Sequence, residues 1–428
     1  MPSAAALTTA LRVVTKPLAG VETLLGYASA THPLVWLRGG AGIVGVGEAL
    51  RLTFSGPDRV RDAAAAWRSI AAAATVEDPF GLPGSGLVAF GAFAFADRSS
   101  KESVLIVPSV VIGRRRDRTW VTRIEAIDTA RPSTAGETRD GDRGGGELPI
   151  APSRLGTEYR LAMLPGLQTS AGYRAAVESA VSRIAAGEVD KVVLARDLHA
   201  HAPAGADLRR ALARLQSGYP DTWTFAVDGL LGASPETLIE ATGRSFNSVV
   251  LAGTASRGAD AAADRAAAAE LVASAKDRAE HGFAADSVLE ALRPHAATLD
   301  VSAPETLRLP NLWHLATTIS GRLADGASTL DLVAALHPTA AVAGTPTDAA
   351  LRLIAELEPF DRGRYGGPVG WIGADGSGEW ALALRCAQVE ESGDLTAYAG
   401  GGIVAGSDPV LELAETTMKF RPIVEAFG

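Results

Sequence analysis

Tyr398-Ala-Gly-Gly-Gly-Ile-Val404, Gly406-Ser-Asp-Pro409 and Glu412-Leu-Ala-Glu415-Thr-Thr-Met-Lys419 follow one another near the end of the chain. A β-patterned segment runs into Gly400, Gly401 and Gly402. This predicts a glycine turn with positive φ, where backbone N–H groups can come close to a ligand. Asp408-Pro409 has the pattern of an N-cap followed by the first residue of a helix. On that helix Glu412, Glu415 and Lys419 fall at i, i+3 and i+7, so two carboxylates and an ammonium share one face. A solvated face with one supporting ion pair accounts for this spacing as it stands. A site for chemistry needs partners from other parts of the chain.

The 428 residues are enough for a large core or two packed lobes. With 47% hydrophobic and 21% charged residues, the chain has a globular composition, not a disordered one. A net charge of −9 argues against nucleic acid or an anionic membrane as the main partner. Cys386 is the only cysteine, which excludes a disulfide framework and a thiolate metal site and fits a reducing compartment. The first twenty residues have no continuous apolar stretch and no later run is long enough to span a bilayer, so a cytoplasmic location is expected.

Strand patterns cover Leu34–Leu37, Ile43–Val46, Ala49–Phe54, Leu87–Ala96, Ser103–Gly113 and Arg118–Ala126, with a helix over Arg59–Ala74. Residues 1–150 thus form a β-rich N-terminal portion without a cluster that suggests chemistry. Asp128 to Gly156 is rich in Pro, Ser, Thr and Gly and reads as a connector. The portion from 157 to 428 opens with a helix over Ala171–Gly187, capped by Ser170, and a strand Lys191–Arg196. An antiparallel meander from Trp223 to Leu251 and one long helix over Ala261–Leu292 follow. Hairpins interspersed with helices indicate an α+β fold.

Several side chains in this portion suit chemistry. Lys191 opens an apolar strand; it is either a snorkelling surface lysine or, in a closed pocket, a desolvated general base. Ser234-Pro235-Glu236 is either a hairpin turn or a device that holds a shielded carboxylate at the mouth of a sheet. Asp277, Glu280 and His281 fall on one helix face. Together with Glu412 and Glu415 they supply oxygen ligands from two sides, an inventory suited to Mg²⁺. His314 stands in an apolar run, as a satisfied core histidine does. Arg385 ends a strand and suits a carboxylate.

In order, Asp190-Lys-Val-Val-Leu-Ala-Arg196, Gly232-Ala-Ser-Pro-Glu236, Leu251-Ala-Gly-Thr254, Lys276-Asp-Arg278 with Glu280-His281, Leu312-Trp-His-Leu-Ala-Thr317, His337-Pro-Thr339, Ile354 to Arg362, Gly366-Gly367, Arg385-Cys-Ala387, Ala399 to Val404 and Glu415 to Lys419 resemble the chorismate-utilising enzymes. Within that family the isochorismate synthases are most similar. The resemblance implies large antiparallel sheets flanked by helices, with the active site between them. It implies Mg²⁺ on Glu280 and Glu415, with Glu412 and Asp277 close by. Gly253, Thr254, Arg385, Gly402 and Lys419 would contact the substrate, and His314 would lie against its ring. Lys191 would deprotonate a water adding at ring carbon 2, and Glu236 would protonate the hydroxyl leaving carbon 4.

Ala252 stands where aminodeoxychorismate synthases carry a nucleophilic lysine, so covalent catalysis through lysine is not expected. Salicylate synthases typically have threonine at the position of Ala341. Ala341, Val342 and Tyr365 are more similar to the isochorismate-synthase pocket. The chain departs from common members at Ala275 and Ala279, beside Glu280. Chorismate is the expected small-molecule partner; no nucleic acid, membrane or glutaminase subunit is expected, and a monomer is the simplest arrangement. The rival readings are a salicylate synthase, which goes on to eliminate pyruvate, and a non-catalytic chorismate-binding subunit. The product could serve menaquinone or siderophore synthesis.

Overall fold

The computed structural model describes residues 10–127, 151–310, 312–324 and 326–428. Most of the expected connector lies outside the described residues; its last part, 151–156, has neither helix nor strand. The described residues form two large sheets, of thirteen and ten strands. Every pairing is antiparallel except that of Ala10–Pro17 with Thr75–Glu77. In the larger sheet, strands Lys191–His201, Asp394–Ile403, Cys386–Val389, Leu230–Ser234 and Trp223–Val227 run on into Leu34–Arg38 and the strands of the N-terminal portion. In the smaller sheet, Leu312–Leu323, Ser245–Ser256, Thr237–Thr242, Gly378–Leu382 and Pro368–Gly373 run on into Val88–Ala92. Strands from both portions therefore share both sheets. This is the α+β arrangement expected from the sequence.

Side-chain alternation explains how the layers stack. In Leu34–Arg38, Leu34 and Trp36 point into the core between the sheets, while Val35 and Leu37 point into a second core on the outer face of the larger sheet. Large side chains such as Trp36, Phe90 and Trp371 fill the space between the sheets, while Trp380, one residue along from Glu379, packs with Phe93 on the other face of the smaller sheet. Burying one phenylalanine of this kind contributes about 1.5–3 kcal/mol.

Eight α-helices cover the sheets among the described residues: α1 (Arg59–Ala73), α2 (Ser170–Ala185), α3 (Arg209–Gly218), α4 (Ala261–Ala273), α5 (Ala275–Leu292), α6 (Thr329–Leu336), α7 (Thr347–Leu357) and α8 (Pro409–Phe427). Leu212 and Leu215 of α3 and Phe420, Ile423 and Phe427 of α8 fill the outer core.

Four local expectations are corrected. The cap of α2 is Thr169, whose side chain accepts from Gly172 N; Ser170 is already helical. The long helix is two helices, broken at Ser274, which caps α5 by accepting from Asp277 N. A side chain that satisfies a helix N-terminus in mid-run ends one helix and starts another. The stretch 223–251 is not one meander: Trp223–Val227 and Leu230–Ser234 belong to the larger sheet, whereas Thr237–Thr242 and Ser245–Ser256 belong to the smaller. Finally, Gly400, Gly401 and Gly402 lie inside the strand Asp394–Ile403, and none has positive φ. Their use is close approach rather than a turn.

Candidate active site

The chain changes sheet twice beside one cavity. Ser234-Pro235-Glu236 carries it from the larger sheet to the smaller, and 383–385 carries it back. The Ser234 hydroxyl donates to Leu382 O at 2.6 Å, and Leu382 N donates to Glu236 O at 3.2 Å. These bonds tie the two crossings together. The Ser-Pro-Glu segment is thus neither a hairpin turn nor exposed; Glu236 is 5% exposed. Arg385 is not at a strand end, since the strand stops at Leu382, and it sits at φ 49°. A non-glycine residue there is strained and must be held by its surroundings.

Of the residues expected from the sequence, Glu236, Gly253, Thr254, Glu280, His314, Ala341, Tyr365, Arg385, Gly402 and Lys419 all line this cavity. Lys191 lies behind Gly402 and is completely buried, which excludes the snorkelling alternative. Burial lowers its pKa, opposed chiefly by the nearby Glu280 carboxylate, 3.5 Å from Lys191 Nζ. Burial acts on Glu236 in the opposite sense and pushes its carboxyl up to about 8, against the pull of Lys191. Around neutral pH this favours a protonated acid facing an amine that gives up its proton more readily than usual.

Residues of the smaller sheet close the far wall. A bulge between Ala252 and Thr254 interrupts the pairing of Ser245–Ser256 with Leu312–Leu323. Gly253 sits there at φ 78°, with Asp277 packed 3.1 Å from where a Cβ would be. His314 Nδ1 lies 3.2 Å from Gly253 O and 3.1 Å from Thr254 Oγ1. Its Nε2 lies 3.2 Å from Arg385 Nη2. A carbonyl can only accept and a guanidinium can only donate, so the proton is on Nδ1. Burial and the charges of Arg385 and Lys419 hold the His314 pKa well below its usual value, which leaves the ring neutral. His314, which its apolar run alone read as a core histidine and the resemblance placed against the ring, is a buried part of the cavity wall bonded to Arg385.

The carboxylates behave as a set. A Cβ on Gly401 would lie 3.2 Å from Glu412 Oε2 and 3.6 Å from Glu415 Oε1, and one on Gly402 would overlap Glu280 Oε1. The glycines therefore leave room for Glu280 of α5 on one face of the strand and for Glu412 and Glu415 of α8 on the other. Each glutamate meets a lysine: Glu280 meets Lys191, Glu412 meets Lys276 at 2.6 Å, and Glu415 meets Lys419 at 2.6 Å. Burial and then Glu415 raise the pKa of Glu412. Carboxylate oxygens suit a hard divalent cation, which would take the place of lysine as their counter-charge. Among the described residues, no three His, Cys, Asp or Glu side chains stand close enough to hold an ion as they are. His281 leaves the group: it is buried, with Nε2 2.7 Å from Thr317 Oγ1. Asp277 packs under Gly253 without lining the cavity.

Sequence reading gave no role to three further groups. Lys276 is the counter-ion of Glu412, a pairing between distant segments that spacing cannot reveal. Tyr398 lines the cavity and stacks on Tyr365 with ring centroids 5.2 Å apart. Arg362, a buried part of the cavity wall, pairs with Glu358 at 2.6 Å. Their spacing carried no signal, because the helix ends at Leu357 and Pro359 stands between the two.

Residues 26–428 match the family model described as chorismate binding enzyme. The chain belongs to that family. It is 45% identical over 269 residues to the isochorismate synthase DhbC of Bacillus subtilis, a stretch covering 60% of this chain and 67% of that one. It is 42% identical over 258 residues to the isochorismate synthase EntC of Escherichia coli K12, covering 59% of this chain and 66% of that relative, just under two thirds of its length. Among solved structures, MenF of Escherichia coli, a menaquinone-specific isochorismate synthase, superposes with a TM-score of 0.76 at 25% identity, covering 98% of this chain and 95% of that one. No helix among the described residues is long and apolar enough to cross a membrane. The fold, the family and an enzyme of this type are those expected from the sequence motifs.

Proposed function

We propose that this chain converts chorismate to isochorismate, and that it uses Mg²⁺. The reading rests on a buried lysine, just behind the cavity at Gly402, whose pKa is lowered, together with a buried glutamic acid in the cavity wall whose pKa is raised to about 8. Lys191 takes a proton from a water that adds to ring carbon 2. Glu236 gives a proton to the hydroxyl that leaves carbon 4 as water. The ring double bonds shift between the two carbons, so one water enters and one leaves. Each group then holds the proton state opposite to its start, and exchange with solvent resets the pair.

Chorismate carries two carboxylates. Arg385 and Lys419 line the cavity and supply fixed positive charge for one of them. The cation, held by Glu280 and Glu415 with Glu412 beside them, would neutralise the other and fix the ring. His314, neutral and bonded to Arg385, keeps the guanidinium aimed without adding a charge of its own. Tyr365 and Tyr398 close the wall and limit stray water.

The deciding experiment is incubation with chorismate and Mg²⁺ followed by chromatography of the products. Isochorismate without pyruvate is expected. Pyruvate with salicylate would replace this reading with the salicylate synthase, and no turnover would favour a binding subunit. The chain is taken to act as a monomer without a glutaminase, which light scattering of the active sample checks.

A further inference from the structure

The strand that carries Lys191 is continuously paired, from Val192 to His201, only on one side, with Asp394–Ile403. On the other side it is covered in two short patches. Lys191 and Val192 pair with Gly344–Thr345, and Leu198 and His199 pair with Leu164–Pro165. Between the patches, Val193 O and Ala195 N face an edge with no strand opposite. Arg362 Nη2 donates to Val193 O at 2.7 Å, and Ala195 N donates to Glu358 Oε1 at 2.7 Å. The two side chains are themselves joined by Arg362 Nη2 to Glu358 Oε1 at 2.6 Å and Nε to Oε2 at 2.8 Å. The salt bridge thus supplies the donor and the acceptor that a neighbouring strand would otherwise supply.

The same guanidinium reaches two further pieces of the cavity. Its Nη1 donates to Val342 O at 2.8 Å, and it lies 5.8 Å from the centroid of Tyr365, with Phe95 at 4.4 Å on another side. Val193, Val342, Tyr365 and Arg362 itself line the cavity. We propose that the Glu358–Arg362 pair is a positioning device: it splices the edge of the Lys191 strand and locks the Val342–Tyr365 wall to it, setting where the amine stands relative to the bound ring. The inference rests on the chorismate reading for its kinetic part and stands independently of it for its structural part.

A contrast within the molecule makes this testable. Arg209 and Asp207 form another buried pair, 2.7 Å apart, whose guanidinium bonds only to backbone and side chains away from the cavity. Arg362→Lys and Arg209→Lys are compared with wild type at a temperature where circular dichroism shows all three folded. In Arg362→Lys, kcat is expected to fall about tenfold to a hundredfold with KM within about threefold, because misplacement by an ångström costs rate more than affinity. Arg209→Lys is expected to keep the wild-type kcat. Amide exchange at Ala195 and its neighbours is expected to rise in Arg362→Lys alone. An unchanged kcat in Arg362→Lys, or an equal loss in Arg209→Lys, overturns the positioning role. If wild type does not turn chorismate over, the functional reading fails, and amide exchange still decides the splice: unchanged protection at Ala195 overturns it.

Discussion

Lys191 Nζ stands 3.5 Å from Glu280 Oε1, with the lysine completely buried and the glutamate's side chain 13% exposed. Burial alone leaves more of this amine unprotonated at neutral pH, and so free to accept a proton, and the carboxylate works against that. The pair therefore couples the proposed base to the carboxylate set. Substituting Lys191→Met keeps the volume and removes the amine. Turnover is expected to fall by at least a hundredfold, the low end for loss of a general base. Chorismate binding, followed by calorimetry, is expected to stay within a few fold, since Arg385 and Lys419 remain. Retained turnover would take the base role from Lys191.

Glu236 gives the pH dependence a defined edge. Its carboxyl must be protonated to donate, and its folded-state pKa is pushed up to about 8 by burial. On this argument kcat/KM falls as pH rises through about 8, and Glu236→Gln abolishes the reaction. Stability follows the same sign. The folded chain holds a proton on Glu236 between the ordinary carboxylate pKa of 4.5 and about 8, where the unfolded chain has released it. The stabilising contribution is complete below pH 4.5 and lost as pH rises through about 8. Thermal melts are expected to show Glu236→Gln gaining on wild type between pH 6 and 9, although it is inactive. A constant difference across that range would contradict the buried acid.

Glu379 supplies a contrast away from the cavity. It stands between the sheets, accepts from Trp36 Nε1 at 2.8 Å and from Trp371 Nε1 at 3.1 Å, and pairs with Arg115. Trp36 and Arg115 belong to the larger sheet and Trp371 to the smaller. Glu379→Ala leaves two indole N–H groups and a guanidinium without their acceptor, which costs about 3 kcal/mol. Denaturant unfolding is expected to shift accordingly, while kcat at 25 °C stays near wild type. A large loss of kcat without loss of stability would mean that the inter-sheet contact reaches the site.

The sequence made the family, the sheets and most cavity residues legible because the relevant side chains come in short segments with characteristic neighbours. It could not separate a surface lysine from a buried one at Lys191, because the strand pattern is the same in both. It could not show that Ser234-Pro235-Glu236 joins two sheets, because each flanking strand alternates alike whichever partner it takes. Nor could it find Lys276 opposite Glu412, since 136 residues separate them. Arg385 was legible as a candidate for a carboxylate and does line the cavity, but its strained φ comes from the return crossing, which is a property of the topology.

Gly400, Gly401 and Gly402 make the sharpest distinction between a turn and a close approach. In an extended strand alanine costs nothing in backbone conformation, so any effect of substitution comes from space. At Gly401 an added Cβ meets Glu412 Oε2 at 3.2 Å, which a small side-chain shift relieves. At Gly402 it overlaps Glu280 Oε1 and stands 2.9 Å from the completely buried Lys191 Cε, so two groups must move rather than one. Gly402→Ala is therefore expected to displace Glu280, weaken divalent-cation binding at least tenfold and abolish turnover, with the fold retained by circular dichroism. Gly401→Ala is expected to keep measurable turnover with cation affinity lowered about twofold to fivefold. Manganese titration followed by electron paramagnetic resonance reads the affinity directly. Equal behaviour of the two variants would mean that the glycines serve the backbone after all, and that the space at Gly402 is not what seats Glu280.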